Sequence, residues 1–236
     1  MNQKFSVKHR TTRWERLTDN DIFWSFLNSP GAIIAAAITV FCILACLFAP
    51  VIAPFDPFDP SQISLWDGKL PPAWVEGGQN QYLLGTDNQG RDMLSTILYG
   101  GRLSVLVGLS AVCLGMVIGV TLGVISGYAG GITDAVIMRI ADVQLTIPGI
   151  LLAILINGVG RAFLPLEMRQ EFAVYVVIIA IGLTDWPQFA RVARGATMVE
   201  SNKEYVQAAR IIGLPAWLIM VRHILPNTLR PVLVIA

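Results

Sequence analysis

Nucleophilic and ionisable side chains are sparse in this sequence, and their spacing excludes most catalytic chemistry. His9 and His223 are the only histidines, and no His-Glu-x-x-His or Gly-x-Ser-x-Gly pattern is present. An intramembrane enzyme would need such a nucleophile and base, or a set of metal ligands. A phosphate-binding loop of the Gly-x-x-x-x-Gly-Lys-Ser type is also missing, so the sequence offers no ATP site of its own. Cys42, Cys46 and Cys113 lie in apolar runs without metal spacing and read as small buried hydrophobes. Arg91 and Asp92 could form a ligand-binding pair, but a surface turn with Asp92 as a helix N-cap suits them better. Arg139 and Asp142, one turn apart, are able to pair. A charge at the centre of a bilayer costs at least about 2.5 kcal/mol, so these two should face protein, water or the cytoplasmic interface. With the bend expected at Pro148, they form either a gate or substrate-path element or an ion pair that holds the helices together.

The densest group of polar residues between apolar regions is "EYVQAARIIGLPAWLIMVRHILPN", residues 204 to 227. Glu204 to Ile212 contains good helix formers, with Ala208 and Ala209 expected to form a low spot on its surface, and Gly213 with Pro215 ends it. A second piece, Trp217 to Leu225, should place Trp217, Met220, Val221 and Ile224 on one side and Arg222 on another. Two short helices joined at a glycine make a bent tab that a partner protein could grip. The alternative is an interfacial helix lying flat on lipid headgroups.

Positioning this tab is the task of the apolar elements around it. Of 236 residues, 54% are hydrophobic and 14% charged, with mean hydropathy +0.61, more apolar surface than one soluble core can hide. A net charge of +1 argues against nucleic acid as a partner. Residues 1–29 form a basic arm carrying Lys4, Lys8, Arg10, Arg13 and Arg16, expected in the cytoplasm. Residues 30–53 form a first span; cleavage of this segment as a signal peptide is the less favoured alternative. Residues 54–100, with "PFDPFDP" and "LPPAWVEGGQNQ", are too rich in Pro and Gly for spans and should lie outside, ending in a short amphipathic helix with Met93, Leu94, Ile97 and Leu98.

From residue 101 the sequence supports a core of further spans. Gly115, Gly119, Gly123 and Gly127 recur every fourth residue along the second span, Leu103 to Tyr128, and predict a groove for close helix packing that extends through Ala111, Gly108 and Ser104. A third helix holds Arg139, Asp142 and Pro148, and a fourth begins near Glu171 and is followed by Arg191, Arg194, Lys203, Arg210 and Arg222. Of basic residues the loop at 161 to 170 carries only Arg161 and Arg169. Basic residues therefore cluster at the N-terminus and across 191 to 222, which places both in the cytoplasm after four crossings. From Pro226 an apolar helix begins but runs for only about half the roughly 20 residues of a crossing. The expected fold is an all-α integral membrane protein whose fifth span is incomplete, in a fragment or a truncated product.

The tab resembles the conserved cytoplasmic loop of type I ABC importer permeases, whose pattern is Glu-Ala-Ala, three residues, Gly, nine residues, Ile-x-Leu-Pro. Gln207-Ala208-Ala209, Gly213 and Leu225-Pro226 fall at those positions. Gln207 replaces the family's Glu and His223 its Ile, and the acidic role then falls to Glu204. "LLGTDNQGRDMLSTILYGGRLS", "IADVQLTIPGILLAI" and "GLTDWPQFARVARG" are similar to the dipeptide and oligopeptide branch, specifically its second permease subunit. The resemblance implies a coupling loop over residues 199–225, with Glu204, Tyr205, Gln207, Ala208, Ala209, Arg210, Gly213, His223, Leu225 and Pro226 seating it on a separate ATPase subunit. It further implies a heterodimeric partner permease, two ATPases that bind ATP and Mg, an extracytoplasmic substrate-binding protein, and a bacterial inner-membrane location. Peptide is the expected substrate, with nickel or glutathione as alternatives. A secondary transporter would accommodate a broken helix at Pro148 but gives no reason for the tab.

Overall fold

A computed structural model describes residues 27–163 and 169–235, with the side chains of 161–163 and 169–171 left undescribed. Most of the basic arm, His9 included, and the centre of the 161–170 loop lie outside the described residues. The chain divides into two compact units, up to Leu103 and from Ser104, with the boundary inside one long helix.

In the first unit, α1 (Pro30–Leu47) and the short α2 (Ala49–Ile52) form the expected first span, with Phe48 out of helical geometry just ahead of Pro50. Beyond it, residues 54–92 are knitted by turns. The Asp87 carboxylate accepts from the amides of Gln89 (2.7 Å) and Arg91 (3.0 Å), and Gly85 and Gly90 take φ of +79° and +77°. A Cβ on Gly90 would sit 1.8 Å from the Ser64 carbonyl, so backbone approaches backbone where no side chain fits. Asp92 caps the next helix as expected: its carboxylate accepts from the Ser95 amide at 2.8 Å and the Ser95 hydroxyl at 2.6 Å. That helix, α3 (Met93–Ala129), is continuous, so the separate amphipathic helix expected before residue 100 is instead its first part. Nothing in the Met93–Leu103 stretch breaks a helix strongly enough to separate the two, since Gly100 and Gly101 cost only about 1 kcal/mol each.

The second unit comprises the rest of α3, then α4 (Gly131–Thr146), α5 (Gly149–Phe163), α6 (Arg169–Ser201), α7 (Glu204–Ile211), α8 (Ala216–Ile219), a widened π turn (Met220–Ile224) and α9 (Leu225–Leu233). The glycine stripe packs along α6. A Cβ on Gly115 would meet the Gly182 carbonyl oxygen at 3.1 Å, on Gly119 that of Trp186 at 2.4 Å, on Gly123 that of Ala190 at 2.4 Å, and on Gly127 that of Arg194 at 2.7 Å. Both sequences advance by four at each step, so α3 and α6 run parallel in close contact. The stripe ends at Ala111, which is buried; Gly108 faces open space and Ser104 is exposed, contrary to the expectation that the groove continued through them.

Among the described residues three helices, α1, α3 and the Phe172–Ser201 part of α6, are long and apolar enough to cross a membrane, and α4 with α5 makes a fourth candidate bent by 90°. Parallel neighbours that both cross must enter from the same face. The bent pair lies between these two helices in the chain.

The cysteines depart from expectation. Cys42 and Cys113 are exposed and Cys46 is half-buried, on helices whose outward faces are apolar. A bilayer solvates apolar side chains, so hydrophobicity on a span does not imply burial within the chain.

Candidate functional site

The tab forms because each of its breaks has a local cause. Gly213 adopts φ +85°, its amide bonds the Arg210 carbonyl at 3.0 Å, and the Leu214 amide bonds that of Ala209 at 3.1 Å. These two bonds are the Schellman ending of a helix, which satisfies carbonyls that a straight continuation would have used. Pro215 stands at the N-cap of α8, where its fixed φ is acceptable. Pro226 lacks an amide hydrogen, so the regular ladder cannot pass through it, and the widened turn lies immediately before it.

One face of the tab is buried in the chain's own core. Val206, Ala209, Ile219 and Ile224 cluster with Val120 and Val124 of α3 and with Phe189 and Ala193 of α6, and Val232 of α9 completes the group. Two sequence expectations are corrected here. Ala209 is only 4% exposed and belongs to the inner face, while Ala208 is exposed. Of the second piece, Ile219 and Ile224 turn inward and Trp217 and Val221 stay exposed. The widened turn resets the helical phase, so a fixed 3.6-residue period assigns that face wrongly. Val206, Ile219, Glu200 and Asn227 went unremarked in the sequence reading; the Val206–Ala209 spacing is the signal that could have located the inner face.

Polar contacts fix the tab's two ends. The Tyr205 hydroxyl donates to the Glu200 carboxylate and accepts from the Asn227 side-chain amide at 3.0 Å, bridging the end of α6 to the start of α9. Burial, and then the hydrogen bond to Glu200, push the Tyr205 phenol up from its ordinary value. The Asn227 amide also reaches the His223 carbonyl at 3.3 Å, and the Tyr205 and His223 rings lie 6.4 Å apart. Arg210 sits over the Tyr128 ring, 4.7 Å from its centroid, which ties α7 to the end of α3 by a cation–π contact. Leu225 packs against the core cluster. Outward are left Glu204, Gln207, Ala208, Gly213 and Pro226, with an apolar tip of Ile211 and Ile212 at 87% and 77% exposure.

The charged residues of the bent pair are arranged differently from expectation. Asp142 does not pair with Arg139; it accepts from Arg191 of α6 at 2.6 Å. Asp134 takes Arg194 in a two-pronged contact, one arm at 2.6 Å, and also the Ser126 hydroxyl of α3. A carboxylate on α4 can reach arginines on its neighbour because Ala141 is fully buried beside Trp186 and Ala190, which brings the two helices together. Arg139 is exposed. At Pro148 the expected bend is a full break: Ile147 is extended, as a residue before proline prefers, and α5 departs at 90°. Asp185, which no catalytic or metal-ligand motif in the sequence marks, lies within the apolar part of α6 beside this break, in a groove of about 270 Å³.

Comparison with known proteins agrees with this architecture. Residues 119–236 match the family described as binding-protein-dependent transport system inner membrane component, and residues 20–72 the N-terminal TM domain of oligopeptide transport permease C. The dipeptide transport system permease protein DppC of Haemophilus influenzae is 39% identical over 213 residues, covering 90% of this chain and 68% of that protein. The di/tripeptide transport system permease protein DppC of Pseudomonas aeruginosa is 36% identical over 90% of this chain and 66% of its own length. The oligopeptide transport system permease protein OppC of Bacillus subtilis is 34% identical over 91% of this chain and 64% of its own. The chain thus spans about two thirds of the length of these relatives. Shared sequence over nine tenths of the chain, on a fold of parallel, glycine-packed spans, makes it a multi-pass membrane protein that belongs to the family of binding-protein-dependent transport system inner membrane components.

Proposed function

We propose that the chain is one permease subunit of an ATP-driven importer of short peptides, and that residues 199–225 receive the motion of a separate ATPase. The observation that carries the reading is the two-sidedness of the tab. Its inner face shares one core with α3 and α6, while its outer face ends in the uncovered Ile211 and Ile212. A displacement imposed on the outer face is passed to the spans through packed side chains, which resist compression. The exposed isoleucines are what a hydrophobic cleft in a partner would cover.

The assembly follows the same reading: a second permease, two ATPases carrying ATP and Mg, and an extracytoplasmic binding protein that delivers substrate. Peptide is the substrate class, supported by relatives whose names are dipeptide, di/tripeptide and oligopeptide permeases. The N-terminus and tab are assigned to the cytoplasm and residues 54–92 to the opposite side, supported by the basic clusters and by the parallel run of α3 and α6.

The test is co-purification of the ATPase with tab variants of the assembled permease. Ala208→Arg and Ile212→Glu alter exposed positions and should insert normally while losing the ATPase and the substrate-stimulated hydrolysis. Wild-type values in both assays would return the tab to an interfacial helix resting on lipid.

A further inference from the structure

Two features that lipid tolerates badly occur at one level of the second unit. Asp185 lies about 20 Å along α6 from Phe172 and about 24 Å from Ser201, inside the apolar segment. Among the described residues it has no hydrogen-bond or ion-pair partner, whereas Asp134 and Asp142 are both paired with arginine. Beside it the chain leaves helical geometry at Ile147–Pro148, and Gly149 lies so close that a Cβ there would be 3.1 Å from the Thr184 side chain. A lone carboxylate and a broken backbone at membrane depth are each tolerated where they line a cavity rather than face acyl chains. Asp185 and Gly149, the residue that follows the break, border the same groove, with Ala153, Ala180, Ile181 and Thr184. Thr184 spends its hydroxyl on the Ala180 carbonyl at 2.7 Å, leaving Asp185 the only charged group among the described residues of an otherwise apolar lining.

We propose that this groove is a cation subsite on the translocation path, in which Asp185 receives the α-ammonium group of a peptide; the ligand class rests on the importer reading above. A primary ammonium offers three donors to the acceptor-only carboxylate. The small residues Gly149, Ala153 and Ala180 leave width beside it for a chain of varied side groups. The apolar lining adds little hydrogen bonding of its own, so the carboxylate is the polar anchor of the groove.

The test places a reporter cysteine at Ile181, one helical turn from Asp185 on the same face, in the assembled permease with its three native cysteines replaced. Its reaction is timed with a cationic methanethiosulfonate ethylammonium and an anionic methanethiosulfonate ethylsulfonate, in membrane vesicles. The cationic reagent should react at least about tenfold faster relative to the anionic one than in the same protein carrying Asp185→Asn. L-alanyl-L-alanine should slow the reaction and its N-acetylated form should not. A ratio unchanged by Asp185→Asn overturns the cation subsite; an altered ratio with no protection by the free dipeptide overturns its assignment to the substrate ammonium. Uptake of labelled dipeptide by the unmodified assembly tests the importer reading separately, so the two can fail independently.

Discussion

The contact between α3 and α6 permits a worked prediction. A methyl group on Gly119 would stand 2.4 Å from the Trp186 carbonyl oxygen and 2.6 Å from the Phe189 Cβ, and on Gly123 it would stand 2.4 Å from the Ala190 carbonyl oxygen. Ordinary contact begins near 3.4 Å, so the helices must separate by about 1 Å, and the obstacle is backbone that cannot rotate away. Such overpacking costs about 1–3 kcal/mol per site. Alanine returns about 1 kcal/mol of helix propensity to each former glycine, leaving a net loss of about 1 kcal/mol per site and about 2 for the double variant. At roughly 2–4 °C per kcal/mol for a chain of this size, Gly119→Ala with Gly123→Ala should lower Tm by about 4–8 °C. The assay is thermal unfolding of the solubilised chain, followed by size-exclusion chromatography with fluorescence detection. Gly108→Ala, which meets nothing within 4 Å, supplies the control and should hold or raise Tm. If the double variant were as stable as the control, the stripe would not be a packing surface.

Cysteine labelling at the exposed Gln79 and Asn202 should occur from opposite sides of the membrane; labelling of both from one side would remove the four-crossing topology. Arg194→Ala leaves Asp134 with the Ser126 hydroxyl but no cation in a partly buried position and should cost about 1–2 kcal/mol, while Arg191→Ala, from a half-exposed pair, should cost under about 1 kcal/mol; equal unfolding midpoints would contradict this order. Ala209→Trp should lower Tm and the yield of inserted protein, because the side chain points into the core; normal yield with loss of ATPase alone would restore Ala209 to the docking surface.

Much of this architecture was legible in the residues, and the exceptions have physical causes. Glycines every fourth residue mean close packing wherever they occur, so the α3 face was readable from Gly115 to Gly127 without knowing the partner. Gly213 with Pro215 marked the bend in the tab, since few other residues accept that backbone geometry. The inner face of the tab's second piece was not readable from period alone, because the widened turn at Met220–Ile224 shifts the phase by a fraction of a turn. Ion pairing was misjudged because Arg139 and Asp142 are neighbours in sequence, whereas pairing is decided by Ala141, whose small side chain lets α6 and its arginines approach. Burial of Cys42 and Cys113 could not follow from their apolar context, which on a span describes the solvent as much as the core.

The four-residue beat shared by α3 and α6 also limits how these helices can move. A slip of one or two residues would bring side chains that flank the stripe, such as Met116, against carbonyl groups that now meet only glycine hydrogens. A slip of a full four would restore glycine against backbone, at a cost of about 6 Å of travel. Between those registers the interface has no continuous path, so the two helices are geared rather than lubricated. Any rocking motion must therefore carry them as a single shaft, and the give in the protein has to reside elsewhere, at the break before Pro148 and at the Gly213 elbow.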